Sequence, residues 1–353
     1  MSRQIKHMNH AYCRIFKTYL MKRKHLPIIC LALLAIGANP VLAQVDPHFS
    51  QVYLHPMTIN PAYTGAFEGD YRATGIWRSQ YGNTLTTQGI SGEVATNKSA
   101  NFGFNLLNES SQDKSYNFTN GYLTMAFTGV QLGRNSDHYL VMAIQFGFIN
   151  RRFDITKLQF GDQWVQGMGF DPTQSSGEVF NKPSITAFDA GAGIAYYDAV
   201  PNKTVSFFGG FSAFHITRPD YPYLSNSQEQ RLPVRFSLQA GARIIASDLW
   251  SVVPSVILMK EAEAEEKMLG TYFQLYANEN TDVMFGANWR LGDALIPFAG
   301  FYYKGLTLGL SYDVTISSLN SGAVKSNSFE VSISFVGQRK NSMRTNNFYC
   351  PRF

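Results

Sequence analysis

Leu306-Thr307-Leu308-Gly309-Leu310-Ser311-Tyr312-Asp313-Val314-Thr315-Ile316-Ser317 alternates without a break, large apolar residues on one parity and Thr, Gly, Ser and Asp on the other. A strand sends successive side chains to opposite faces, so this segment sets one face in an apolar medium and the other against water or a polar lumen. The pattern recurs. Val283, Phe285, Ala287 and Trp289 alternate with Met284, Gly286, Asn288 and Arg290, and Phe329, Val331, Ile333 and Phe335 alternate with Ser328, Glu330, Ser332 and Ser334. In each case the polar parity is expected to face a lumen.

Extended along the chain, the alternation and its turn residues predict an all-β, outer-membrane antiparallel β-barrel of about 14 strands. The strands begin near Tyr71, Leu85, Asn101, Ser115, His138, Thr186, Thr204, Pro233, Leu249, Glu266, Thr281, Ala294, Leu306 and Ser328. The connections sort by parity. Long ones follow strands 5, 7, 9 and 13, roughly Phe153 to Pro183, Thr217 to Leu232, Lys260 to Glu265 and Ser318 to Asn327, while those after even strands are short. A bacterial barrel with both termini in the periplasm has that asymmetry, with the longer loops outside. A soluble sandwich alternates too, but does not require it. After Ala43 no stretch is apolar for 18 residues, which rules out spanning helices. An aromatic content of 14%, with 27 Phe and 19 Tyr, fits girdles at two membrane interfaces.

Residues 1–43 read as an upstream extension followed by a secretory signal: Lys22, Arg23, Lys24 and His25, then apolar Leu26 to Ala38, then Val41-Leu42-Ala43 with cleavage after Ala43. The apolar run is too short for a spanning anchor. Of the 30 basic residues seven lie in this leader, which has no acidic ones, leaving 23 basic against 25 acidic. The exported chain is therefore close to neutral, and no nucleic-acid partner is expected. Cys13 and Cys30 leave with the leader, so Cys350 stands alone and no internal disulfide forms. The domain reading is the leader at 1–43, an N-terminal segment at 44–68, a transmembrane barrel at 69–337 and a periplasmic tail at 338–353.

No catalytic constellation emerges, and no enzyme, cofactor or metal is expected. His48, His55, His138 and His215 are scattered, without ligand spacing. Glu261, Glu263, Glu265 and Glu266 lack the spacing of a calcium loop and read as a solvated turn. Strand glycines such as Gly191 and Gly193 mark bends and close packing rather than phosphate loops. Two loops carry aromatic or large apolar residues, Trp164, Met168 and Phe170 in one and Tyr221 and Tyr223 in the other. They are candidates for binding a partner, or for packing into the barrel mouth. The 44–68 segment holds Pro47, Pro56 and Pro61, which argues against a ladder strand. A barrel this wide needs filling, and the expectation is that this segment plugs the lumen.

Asp46-Pro47-His48-Phe49-Ser50-Gln51, then Asn60-Pro61-Ala62-Tyr63-Thr64-Gly65, the Trp77-Arg78 strand, and the terminal Cys350-Pro351-Arg352-Phe353 together resemble the PorP/SprF family of type IX secretion system membrane proteins. The resemblance implies an outer-membrane barrel similar in build to fatty-acid channels, set among outer-membrane lipid. It implies work with the type IX machinery and a secreted client, such as a gliding adhesin, rather than catalysis. By that likeness the outer loops meet the client, and the periplasmic turns and tail meet the machinery. The alternative is a channel for hydrophobic small molecules. A general porin is disfavoured, because Phe208 and Gly210 fall on the inward parity.

Overall fold

A computed structural model describes residues 46–339, apart from 97–98, 134–136, 178–181, 202, 221–230, 279 and 318–325. Sixteen strands follow one another: β1 (Tyr71–Gln80), β2 (Leu85–Val94), β3 (Ala100–Ser111), β4 (Tyr116–Leu132), β5 (His138–Phe153), β6 (Trp164–Val165), β7 (Gly169–Phe170), β8 (Ser184–Asp198), β9 (Val205–Phe214), β10 (Arg235–Ser247), β11 (Trp250–Glu261), β12 (Ala264–Asn278), β13 (Thr281–Arg290), β14 (Ala294–Tyr303), β15 (Leu306–Thr315) and β16 (Ser328–Gly337). All but β6 and β7 form one closed barrel in which each strand pairs antiparallel with its neighbours in the chain. The ring closes between β1 and β16, from Tyr71 opposite Gly337 to Gln80 opposite Ser328. Closure removes sheet edges, and hydrocarbon cannot satisfy free N–H and C=O groups. Pro297, which has no N–H to donate, falls in a gap of the β14–β15 pairing between Leu295/Val314 and Phe298/Ser311, and the register is the same on both sides.

The faces are inverted relative to a soluble barrel. On β15, Leu310 is 49% exposed and its neighbour Ser311 3%. Glu330 on β16 is fully buried, while Phe329 and Val331 beside it face out. The outer wall is thus an apolar band of Leu, Ile, Phe, Val and Trp side chains, and the polar and charged parity looks inward. What covers the inward parity is residues 46–67, almost all buried and folded into two short 3-10 turns, Pro56–Thr58 and Pro61–Tyr63. Tyr53 packs its ring 5.3 Å from Tyr272 and 4.6 Å from Phe298, within a cluster that includes Tyr63, Tyr139, Tyr197 and Phe208.

Every barrel strand begins within two residues of the position read from the alternation. One connection differs. The segment Lys260 to Glu265, expected as a long loop, is a tight hairpin in which β11 continues to Glu261 and β12 starts at Ala264. Ala262 adopts a positive φ of 50°, which lets two residues reverse the chain. Nor are the four glutamates there one solvated cluster. Glu261 and Glu266 turn inward and are buried or nearly so, whereas Glu265 faces out and pairs with Lys260 at 3.0 Å and Lys267 at 3.1 Å.

Candidate functional site

The inward face of the barrel and residues 46–67 form one polar network. Its first anchor is Asp46. The Asp46 backbone N–H donates to Glu261 Oε2 at 2.9 Å, and its carboxylate sits 2.5 Å from Nε2 of His215. Nδ1 of that ring faces Asp189 Oδ2 at 2.8 Å, and Asp189 also accepts from the Tyr122 hydroxyl at 2.6 Å. Burial works against a charged ring at His215, but the Asp46 and Asp189 carboxylates outweigh it and hold the pKa up at about 9. Burial likewise opposes charge on Asp46, and the His215 imidazolium overrides it, keeping the carboxyl well below its usual range.

Asp46, His215 and Glu261 place ligand-type atoms within 4.8 Å of one another, which is a metal-ligating set in composition. Both ring nitrogens of His215 are already taken up by carboxylates, so a cation would have to displace one of these pairs. The arrangement functions as it stands as an ion-paired anchor.

The second anchor lies on β15 and β16. Glu330 accepts from the backbone N–H of Ser50 at 2.7 Å and of Gln51 at 3.0 Å, one oxygen for each. Ser50 Oγ donates to Asp313 at 2.7 Å, and Arg290 donates to Ser50 Oγ at 2.8 Å. Arg78 joins the segment to this wall, donating to the His48 carbonyl at 2.8 Å and to Asp313 at 3.1 Å. Gln51 continues the contact, accepting from Ser332 Oγ at 2.6 Å and donating to Ser311 Oγ at 3.2 Å.

On the far wall the anchor is Asn60. Its Oδ1 accepts from Ala62 N–H at 2.9 Å and so caps the turn begun by Pro61, a residue suited to the first position because it has no N–H to leave unpaired. Its Nδ2 reaches the Ile194 carbonyl and Gln239 Oε1, each at 3.1 Å. Gly193 permits the approach, since a Cβ there would come within 2.1 Å of Asn60 Oδ1. Below it, the Gly65 N–H donates to Glu93 at 2.9 Å, and Glu93 also receives Arg72 at 2.7 Å. Gly65 has φ of 79°, and a Cβ would meet Asn101 Nδ2 at 2.3 Å, so glycine is required twice over.

The structure thus brings together most of the residues singled out from the sequence. Asp46, Ser50, Gln51, Asn60, Gly65 and Arg78 share this network, Pro47, His48, Pro61 and Ala62 lie in the same segment, and Phe49 packs with Ile76, Leu107 and Phe118. Trp77 does not join them; it points outward at 38% exposure, as its parity demands. Trp164 and Phe170 pair across the small β6–β7 hairpin, with Trp164 58% and Met168 80% exposed. Tyr221, Tyr223, Cys350, Pro351, Arg352 and Phe353, like the leader, lie outside the described residues. Sequence reasoning passed over Glu330, Asp313, Arg290, Glu93, Asp189 and His215 as site residues. The available signal was a charged residue in a strand or at its end, on the polar parity, where a lining for bulk water was not otherwise called for.

A family model for the type IX secretion system membrane protein PorP/SprF matches residues 41–335. The chain belongs to the PorP/SprF family. As a PorP/SprF protein it is an outer-membrane β-barrel of that secretion system, and the family is not one of enzymes. No curated relative matches the chain. Among solved structures it is similar to the Ralstonia pickettii toluene transporter TbuX at 10% identity, covering 80% of this chain and 92% of that one with a TM-score of 0.50. The Pseudomonas putida toluene transporter TodX aligns at 8% identity over 82% and 93% of the two chains, TM-score 0.49. A Pseudomonas aeruginosa FadL homologue aligns at 13% identity over 84% and 96%, TM-score 0.40. At such identities the TbuX likeness is one of fold.

Proposed function

We propose that this PorP/SprF barrel works as a partner-binding component of the type IX system, supporting secretion or surface attachment of a specific client such as a gliding adhesin, with residues 44–68 plugging the lumen. The family assignment supports the secretion role. The observation that carries the plug is that residues 46–65 hydrogen-bond to inward side chains of β2, β10, β11, β15 and β16 and to the Ile194 carbonyl of β8, strands on opposite sides of the ring. An open conduit has no use for such a network. The loop that carries Trp164, Met168 and Phe170 and the one that carries Tyr221 and Tyr223 are the client-facing candidates, the short turns and the tail the machinery-facing ones. In this reading the leader is cleaved after Ala43. The test is deletion of the gene together with a pull-down of the tagged barrel from gently solubilised outer membranes. Loss of one large surface protein and its recovery with type IX components support the reading; unchanged surface proteins and a barrel recovered alone refute it.

A second reading, a channel for hydrophobic small molecules, is favoured by the fold shared with a toluene transporter and by the aromatic cluster around Tyr53, Tyr197 and Phe298. It predicts solute-dependent growth that the deletion strain loses. The charged anchors at Asp46 and Glu330 weigh against a continuous apolar path.

A further inference from the structure

Asp46 and the start of β1 lie at opposite ends of the barrel. Asp46 is held by Glu261, the last residue of β11, and by His215, which directly follows β9. Those strand ends form the rim from which the 154–183 and 215–234 connections leave. Gly65 bonds Glu93, the penultimate residue of β2, and Asn101 near the start of β3 donates to the Thr64 carbonyl. That is the other rim, where Asp70 N–H meets the Gly337 carbonyl at the seam of β1 and β16. The mid-barrel contacts of Gln51 and Asn60 fall between the two. Twenty residues therefore cross the barrel from the loop-bearing rim to the turn-bearing one.

We infer that the N-terminal segment enters the lumen at the outward mouth, with Asp46 held at that rim, although the barrel itself begins and ends at the inner rim. The crossing rests on the contacts alone; which rim is outward rests on the reading above that the long connections face outside. Asp46 itself lies against Glu261, beside the exposed Lys260, at the rim from which the connection carrying Met168 leaves.

The test is an epitope inserted between Gln44 and Val45, detected with antibody on intact cells. A tag after Met168 marks the outside, a tag between Lys304 and Gly305 marks the periplasm, and heat-modifiable migration confirms a folded barrel in each case. Staining of the N-terminal tag to the level of the Met168 tag, with the Lys304 tag silent until permeabilisation, is the expected result. Staining only after permeabilisation, or only after denaturation, overturns the inference. If the Met168 tag itself needs permeabilisation, the orientation and the partner-binding reading fail; co-staining of the N-terminal tag with it would still report the crossing. Should the insertion prevent folding, Val45→Cys in a Cys350→Ser background, labelled with a membrane-impermeant maleimide, reads the same outcomes.

Discussion

Replacing Glu330 with alanine tests whether residues 46–67 are a plug held by specific bonds. The Glu330 carboxylate is fully buried and accepts two backbone N–H groups of the segment, from Ser50 and Gln51, and it lies 3.5 Å from Arg78 Nε. A hydrogen bond to a charged group contributes about 1.5–3 kcal/mol, so losing both costs about 3–6 kcal/mol of docking. Water entering the gap recovers part of this, and the lower end corresponds to a shift on the order of 100-fold in the docked-to-undocked ratio. Glu330→Gln keeps one carbonyl acceptor and is expected to fall between wild type and Glu330→Ala. The assay is small-solute conductance of the purified barrel in planar bilayers, paired with protease clipping between Phe49 and Phe67. Conductance and clipping should rise in the order wild type, Gln, Ala, with heat-modifiable migration retained. Unchanged conductance and unchanged clipping in a folded Glu330→Ala barrel would refute the idea that these bonds hold the segment.

Alkaline pH should loosen the other anchor. The His215 pKa stands at about 9 against an ordinary 6.5, so the pairing contributes fully below about 6.5 and is lost as pH rises through 9. Asp46, held below its ordinary value, works in the opposite sense and fails only in acid. Clipping of the segment should therefore increase between pH 7 and 10 in wild type but be already high and flat in Asp46→Asn; a flat wild-type profile counts against the ion pair. Leu310→Arg, on the lipid face, should cost about 2–4 kcal/mol near the bilayer midplane and lower the heat-modifiable fraction. Gly147→Ala should impair folding of the β4–β5 pair, because the new Cβ would come within 1.9 Å of the Gly121 carbonyl oxygen; normal recovery of heat-modifiable barrel would show the wall can yield. Trp164→Ala with Met168→Ala should leave the barrel's stability unchanged and reduce client capture in the pull-down, the signature of exposed side chains that serve a partner.

Strand positions and face assignment were legible in the sequence, because a period of two is a local property that each strand carries on its own. Leu306 to Ser317 needs no partner to declare which parity seeks lipid. The short turn at Ala262 and Glu263 was missed for the same reason that the strands were found: Glu261 and Glu266 look like loop residues by composition, and only their burial partners show that the strands continue through them. The resemblance at Asp46 to Gln51 and Asn60 to Gly65 marked the right segment, but not what it touches.

The chain by itself determined a two-faced strand repeated around a closed ring, the composition of its outer wall, and a proline-bearing segment that cannot pair as a strand. Tertiary structure alone decided how charges far apart in sequence meet. Asp46 and His215 are 169 residues apart, and Ser50 and Glu330 280 residues apart. Pairs at such separations leave no periodic trace in the sequence. They form because closing the ring turns every inward carboxylate and guanidinium away from bulk water, where each needs a partner, and the N-terminal segment is the chain near enough to supply one.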